Sequence, residues 1–219
     1  MMAWRRRIAG APRFLPLLGF GVGAVGGGVY WAGAQIWPTS VAVVLSMLAT
    51  ALLTARTDEG SVSDVHASSE RASSERASNS ELAGFVFAVL LKYSALMALS
   101  AAKLPYPLPA NLALGVIMIA GHASSRALVV SVLASAAHPA SKPAASGDLI
   151  IALGVGFAPA VLIGVPGLVG LAAAIVARIA CIAWIRRSRP SVTAAELDMI
   201  RQRAEVCFYL GALASWAYI

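Results

Sequence analysis

Charge is what this sequence has least of. Only 12% of its 219 residues are Asp, Glu, Lys or Arg, about half the share found in soluble domains. With 59% hydrophobic residues and a mean hydropathy of +0.78, that scarcity excludes a globule surrounded by water. Cysteine is almost missing as well. Cys181 and Cys207 sit in apolar stretches, 26 residues apart, which fits small packing residues rather than a metal site. The three histidines, His66, His122 and His138, have no partners at ligand spacing, and neither a Walker loop nor a nucleophile elbow occurs. The net charge of +7 comes without a basic stripe interleaved with aromatics, so no nucleic-acid partner is expected.

What the chain does have is long apolar runs. A membrane span needs about 20 apolar residues. The runs are Phe14–Ile36, Ser40–Ala55, Leu82–Ala102, Ala110–Ala136, Leu149–Val165, Gly167–Ile185 and Val206–Ile219. The expected fold is all-α: one polytopic integral membrane helix bundle over residues 1–219, with six to seven transmembrane helices in contact with the lipid bilayer. Arg5, Arg6 and Arg7 before the first run, with Ala32-Gly33-Ala34 after it, mimic a secretory signal. The run exceeds a signal core in length, so a first span is expected. Gly21-Val22-Gly23-Ala24-Val25-Gly26 matches G-x-G-x-x-G inside an apolar helix without a preceding strand, which points to close helix packing and not to a dinucleotide.

Cytoplasmic loops carry the excess of Lys and Arg. With the N-terminus inside, that side collects Arg5, Arg6, Arg7, Arg13, Arg56, Arg71, Arg76, Lys142, Arg186, Arg187, Arg189, Arg201 and Arg203, against Lys103 alone opposite. Two hydrophilic segments then face the cytoplasm: a basic one over 186–205, and an acidic, Ser-rich one over 56–81. The latter holds Asp58, Glu59, Asp64, Glu70, Glu75 and Glu81, six of the ten acidic residues. Carboxylates gathered at a membrane face suit Mg²⁺ and phosphate chemistry; a solvated connector, favoured by the ASSER tandem over 67–76, remains the alternative. Lys92, Arg126 and Arg178 lie within spans. Such charges usually face a bundle interior, where they would receive an anion; snorkelling to headgroups fits Arg178 best and Lys92 least. His122, a lone span histidine, reads as a packing or interfacial residue.

The order of segments resembles the cobalamin synthase family, the adenosylcobinamide-GDP ribazoletransferases of the bacterial inner membrane. Phe14-Leu15-Pro16-Leu17-Leu18-Gly19 is similar to the family's opening span, and Ala51-Leu52-Leu53-Thr54 to the A-L-L-T before its acidic motif. Gly121-His122 with Ser125-Arg126 resembles G-H-x-x-S-R, and Glu205-Val206-Cys207-Phe208-Tyr209-Leu210-Gly211 resembles the opening of its last helix. The resemblance runs from about Phe14 to the C-terminus. It implies a Mg²⁺-dependent transferase that joins α-ribazole or its 5′-phosphate to adenosylcobinamide-GDP, releasing GMP, in a multi-pass protein with its N-terminus and site loops cytoplasmic.

Carried over residue by residue, the resemblance implies Glu59 and Asp64 as catalytic, with Asp58 beside them as metal ligands. It implies Arg76, Arg126 and Thr193 as phosphate-binding or positioning residues. The sequence departs from the family where aspartates are expected: Gly60, Ala67 and Ala195 stand there instead. The loop and the segment before the first span are also shorter than the family's. These departures keep a second expectation open, a catalytically inactive membrane protein of the same fold serving as a binding or scaffolding partner. Assembly as a homo-oligomer is left open.

Overall fold

A computed structural model describes the backbone over residues 14–62, 74–101, 110–135, 146–188 and 192–216; side-chain surroundings are described over 14–55, 83–101, 112–135, 147–187 and most of 192–216. The described residues form seven helices and no strand. They are α1 (Leu15–Gly33), α2 (Thr39–Val62), α3 (Ser74–Ala101), α4 (Ala110–Ala134), α5 (Ser146–Ile163), α6 (Val165–Ser188) and α7 (Ala194–Trp216). Four stretches, Leu15–Gly33, Ala83–Ala101, Leu112–Ala134 and Val165–Arg187, are long and apolar enough to cross a membrane; Thr39–Ala55 and Gly147–Ile163 are shorter apolar helices. The helical membrane bundle expected from the sequence is therefore observed.

Helix bounds differ from the apolar runs wherever polar residues extend a helix. Helix α2 continues past Ala55 to Val62, α3 starts at Ser74, and α7 starts at Ala194, well before the apolar run at Val206. The last extension has a local cause. The Thr193 backbone N–H and hydroxyl both donate to Glu196 Oε2 (2.7 and 2.9 Å), and the Glu196 N–H donates back to Thr193 Oγ1 (3.3 Å). This reciprocal T-x-x-E box satisfies free N–H groups of the first turn.

Helix α4 is the axis of the bundle: 72% of its span is buried, against 17% for α3 and 39% for α1. It packs most extensively on α1, then on α5 and α7. Small residues allow the closest of these approaches. A Cβ on Gly23 would sit 2.5 Å from the Ile119 Cα, and one on Gly27 would sit 2.7 Å from the Gly115 Cα, whereas Gly21 and Gly28 face open space. The helix-packing reading of the glycine motif thus holds, although the stripe against α4 runs through Gly19, Gly23 and Gly27. Hydroxyls add polar links between helices: Ser46 Oγ donates to the Gly26 carbonyl at 2.7 Å, and Ser124 Oγ to the Gly156 carbonyl at 3.2 Å. Between α5 and α6 only Gly164 intervenes, at φ 81°, a left-handed conformation that glycine adopts without penalty. Helix α6 packs chiefly on α7.

Candidate functional site

Three helices bring ionisable side chains together inside this apolar frame. Arg201, Glu205 and Tyr209 fall at i, i+4 and i+8 on one face of α7, and His122 and Arg126 at i and i+4 on α4. Lys92 enters from α3. At the centre is Glu205, 3% exposed. Its Oε1 lies 2.5 Å from Lys92 Nζ and accepts the Tyr209 hydroxyl at 3.3 Å. Its Oε2 lies 3.3 Å from His122 Nδ1 and 4.0 Å from an Arg201 nitrogen. The Lys92 ammonium also stands over the Tyr209 ring, 6.0 Å from its centroid. Gly121 permits this arrangement, because a Cβ there would meet the same ring at 2.6 Å.

One turn from His122, the buried Arg126 donates to Thr54 Oγ1 on α2 at 3.4 Å. Arg201 also pairs with Asp198, which accepts from Gln202 as well at 2.9 Å. Three cations, Lys92, Arg126 and Arg201, and two acids, Glu205 and Asp198, lie in or beside this cluster. The side chain of Lys92 is 16% exposed against 4% for Glu205, so it is the more accessible partner of the pair. Neither ring nitrogen of His122 has a hydrogen-bond partner among the described residues, Nδ1 lying near Glu205 without bonding it. Such a constellation suits an anion better than a metal ion. Consistently, no three metal-ligating side chains come together among the described residues.

The residues singled out from sequence fare differently. Lys92 and Arg126 do flank one buried cluster; Arg178 does not join them and lies on α6, where the charge acting on it is that of Arg186. Thr193 is the N-cap of α7, its N–H and hydroxyl bonded to Glu196 and its carbonyl accepting from the Leu197 N–H. Asp58 and Glu59 belong to the last turns of α2 and Arg76 to the first turn of α3, with side chains outside the described residues; Asp64 lies outside them entirely. Arg126 bonding to Thr54 nevertheless ties α4 to α2 one turn before Asp58. The sequence reading did not foresee His122 and Glu205 as partners. An acid four residues from both an arginine and a tyrosine, next to an apolar run, was the available signal.

Comparison with known proteins adds a family to this geometry. The profile described as Cobalamin-5-phosphate synthase matches residues 2–68. An adenosylcobinamide-GDP ribazoletransferase from Leptothrix cholodnii is 32% identical over 92% of this chain and 84% of its own length. One from Shewanella amazonensis is 30% identical over 94% and 85%. A third, from Ralstonia nicotianae, is 34% identical over 56% of this chain and 49% of its own. No solved structure matches.

Proposed function

The chain belongs to the Cobalamin-5-phosphate synthase family, and we propose that the charged cluster of α3, α4 and α7 and the acidic end of α2 together form its active site. Its function is that of an adenosylcobinamide-GDP ribazoletransferase, a membrane transferase of cobalamin biosynthesis. The reaction joins α-ribazole, or its 5′-phosphate, to adenosylcobinamide-GDP. A ribazole hydroxyl attacks the phosphorus attached to the cobinamide, the P–O bond to GMP breaks, and GMP leaves with the electron pair. The hydroxyl proton must pass to a base.

The observation that carries the site assignment is the convergence of Lys92 and Arg201 on Glu205, with Arg126 one turn from His122 at its flank. Charge develops on oxygens of the diphosphate during the transfer, and cations fixed in a low-dielectric setting stabilise it without reorganising. Lys92 and Arg126 contact the phosphates; Glu205 and Tyr209 hold the Lys92 ammonium in position. Arg76 and Thr193 belong to the same cytoplasmic end of the bundle and help to receive the nucleotide. Asp58, Glu59 and Asp64 are the oxygen donors for Mg²⁺, a hard cation bound through one or two carboxylates plus substrate phosphates. The described cluster is too cationic to be that metal's site. When bound, Mg²⁺ supplies Lewis-acid polarisation of a phosphoryl oxygen. The site faces the cytoplasmic side of a bacterial inner membrane in this reading, which the excess of Lys and Arg on that side supports.

A second reading draws on Gly60, Ala67 and Ala195, where the family resemblance leads one to expect aspartates. It holds that the chain binds the cobinamide substrate without turning it over. One assay separates the two. Membranes containing the chain are given adenosylcobinamide-GDP and α-ribazole with Mg²⁺ or EDTA, and cobalamin is detected by mass. Product that disappears with EDTA and in Asp64→Asn, with insertion intact, is the expected result. Full activity in Asp64→Asn would overturn the metal-ligand assignment, and no product from inserted wild-type protein would favour the binding reading.

A further inference from the structure

Arg178 is an arginine inside a membrane span with no counter-charge beside it among the described residues, and that needs an explanation. It lies in the span Val165–Arg187, with its Nε buried and lacking a hydrogen-bond partner among the described residues. The neighbouring charge that acts on it is a like one, Arg186. Ionisable groups at this depth almost always pair. Among the described residues the acids are engaged elsewhere: Glu205 with Lys92, Asp198 with Arg201, Glu196 in the α7 cap, and Asp148 in contacts of its own. Helix α6 packs on α7, α5 and α4. Among the described residues no counter-anion is left for Arg178, and an anion from the surroundings would supply one.

Two features near Arg178 indicate what it is. Trp184 is 58% exposed in the last turns of α6, and Arg203 of α7 stands over its ring, 6.0 Å from the centroid. Exposed tryptophan marks the headgroup level of a bilayer. Arg178 lies six residues deeper, about 9 Å along the helix, within reach of that level for a long side chain. Continuing inward from Arg178, α6 and α7 form an open groove of about 440 Å³ lined by Ala173, Val176, Ala177, Cys207, Leu210 and Gly211. It offers an apolar track beneath a cationic one.

We propose that Arg178 and Arg186, above the α6–α7 groove, bind the phosphate of an anionic phospholipid whose acyl chain lies in the groove. Headgroup and tail chemistry are then matched in one molecule, which a free phosphate could not do. The site stands apart from the proposed catalytic cluster and does not depend on it.

The test uses the full chain in nanodiscs of phosphatidylcholine alone or with phosphatidylglycerol. Retained lipid is measured by native mass spectrometry, and thermal unfolding is followed in parallel. Wild type should retain phosphatidylglycerol over phosphatidylcholine, and each of Arg178→Gln and Arg186→Gln should weaken that preference roughly fivefold. Both variants should unfold in pure phosphatidylcholine no earlier than wild type, since removing an unpaired cation costs no ion pair. Ala177→Phe, which fills the groove and keeps both arginines, should also lose the lipid. An unchanged preference in the double arginine variant would overturn the proposal. Displacement of the lipid by inorganic phosphate at equal ionic strength would overturn it in favour of a simple phosphate site.

Discussion

Glu205 holds its neighbours in place by being the acid that several donors share. Its carboxylate takes Lys92 and Tyr209 at 2.5 and 3.3 Å, with His122 Nδ1 nearby at 3.3 Å and Arg201 at the edge. Breaking a buried pair from one side leaves the other charge stranded, which costs about 3–5 kcal/mol. Glu205→Gln should therefore lower thermal stability in detergent markedly, with Lys92→Met doing somewhat less, because Lys92 is the more exposed partner. The combined Lys92→Met, Glu205→Leu variant should regain most of that stability, since an apolar pair of similar volume is often neutral. It should still lack transferase activity, having lost a cation proposed to contact the diphosphate. Measuring unfolding and turnover on the same three preparations separates support of the fold from service to the reaction. A stable double variant with full turnover would remove Lys92 from the site.

Among elements, the α1–α4 contact is the one most sensitive to added volume. Gly27 and Gly28 are neighbours in sequence, yet a Cβ on Gly27 meets the Gly115 backbone at 2.7 Å while one on Gly28 meets nothing within 4 Å. Gly27→Val should thus push the two helices apart and destabilise by about 1–3 kcal/mol. Gly28→Ala should be neutral or stabilise by up to about 1 kcal/mol, through helix propensity alone. Unfolding curves of the two variants in one detergent check both at once; equal effects would mean that α1 does not pack on α4 through this stripe. Most helices were legible in the sequence because lipid demands long apolar runs. The start of α7 was not, because its first turns are polar and depend on the Thr193–Glu196 cap. The cluster was half legible. Lys92 and Arg126 stood out as charges within spans, but Glu205 lies 113 residues from Lys92 and 83 from His122, so only the packing of α3 and α4 on α7 reveals the pairing. Arg178 looked like a member of the same group by charge alone, and its helix lies on another flank.

For the whole molecule, alternation of seven helices ties the catalytic proposal to the topology. Thr54 lies towards the C-terminal end of α2 and Arg126 in the second half of α4, and their hydrogen bond joins two helices that run in the same direction. The C-terminal end of α2 and the capped start of α7 then share a face, which the proposal makes the cytoplasmic one from thirteen positive residues against Lys103. If that face were external, the site would open away from the compartment that holds guanine nucleotides, and the proposed transferase could not be supplied. Cysteine labelling decides the matter. In a background with Cys181→Ala and Cys207→Ala, a single cysteine replaces either Ser68 or Lys103, and intact cells are treated with a membrane-impermeant maleimide. The variant at 103 should label directly, once the reagent has crossed the outer membrane. The variant at 68 should label only after the inner membrane is opened. The reverse pattern would place the acidic carboxylates outside and refute the cytoplasmic site, whatever the chemistry of its residues.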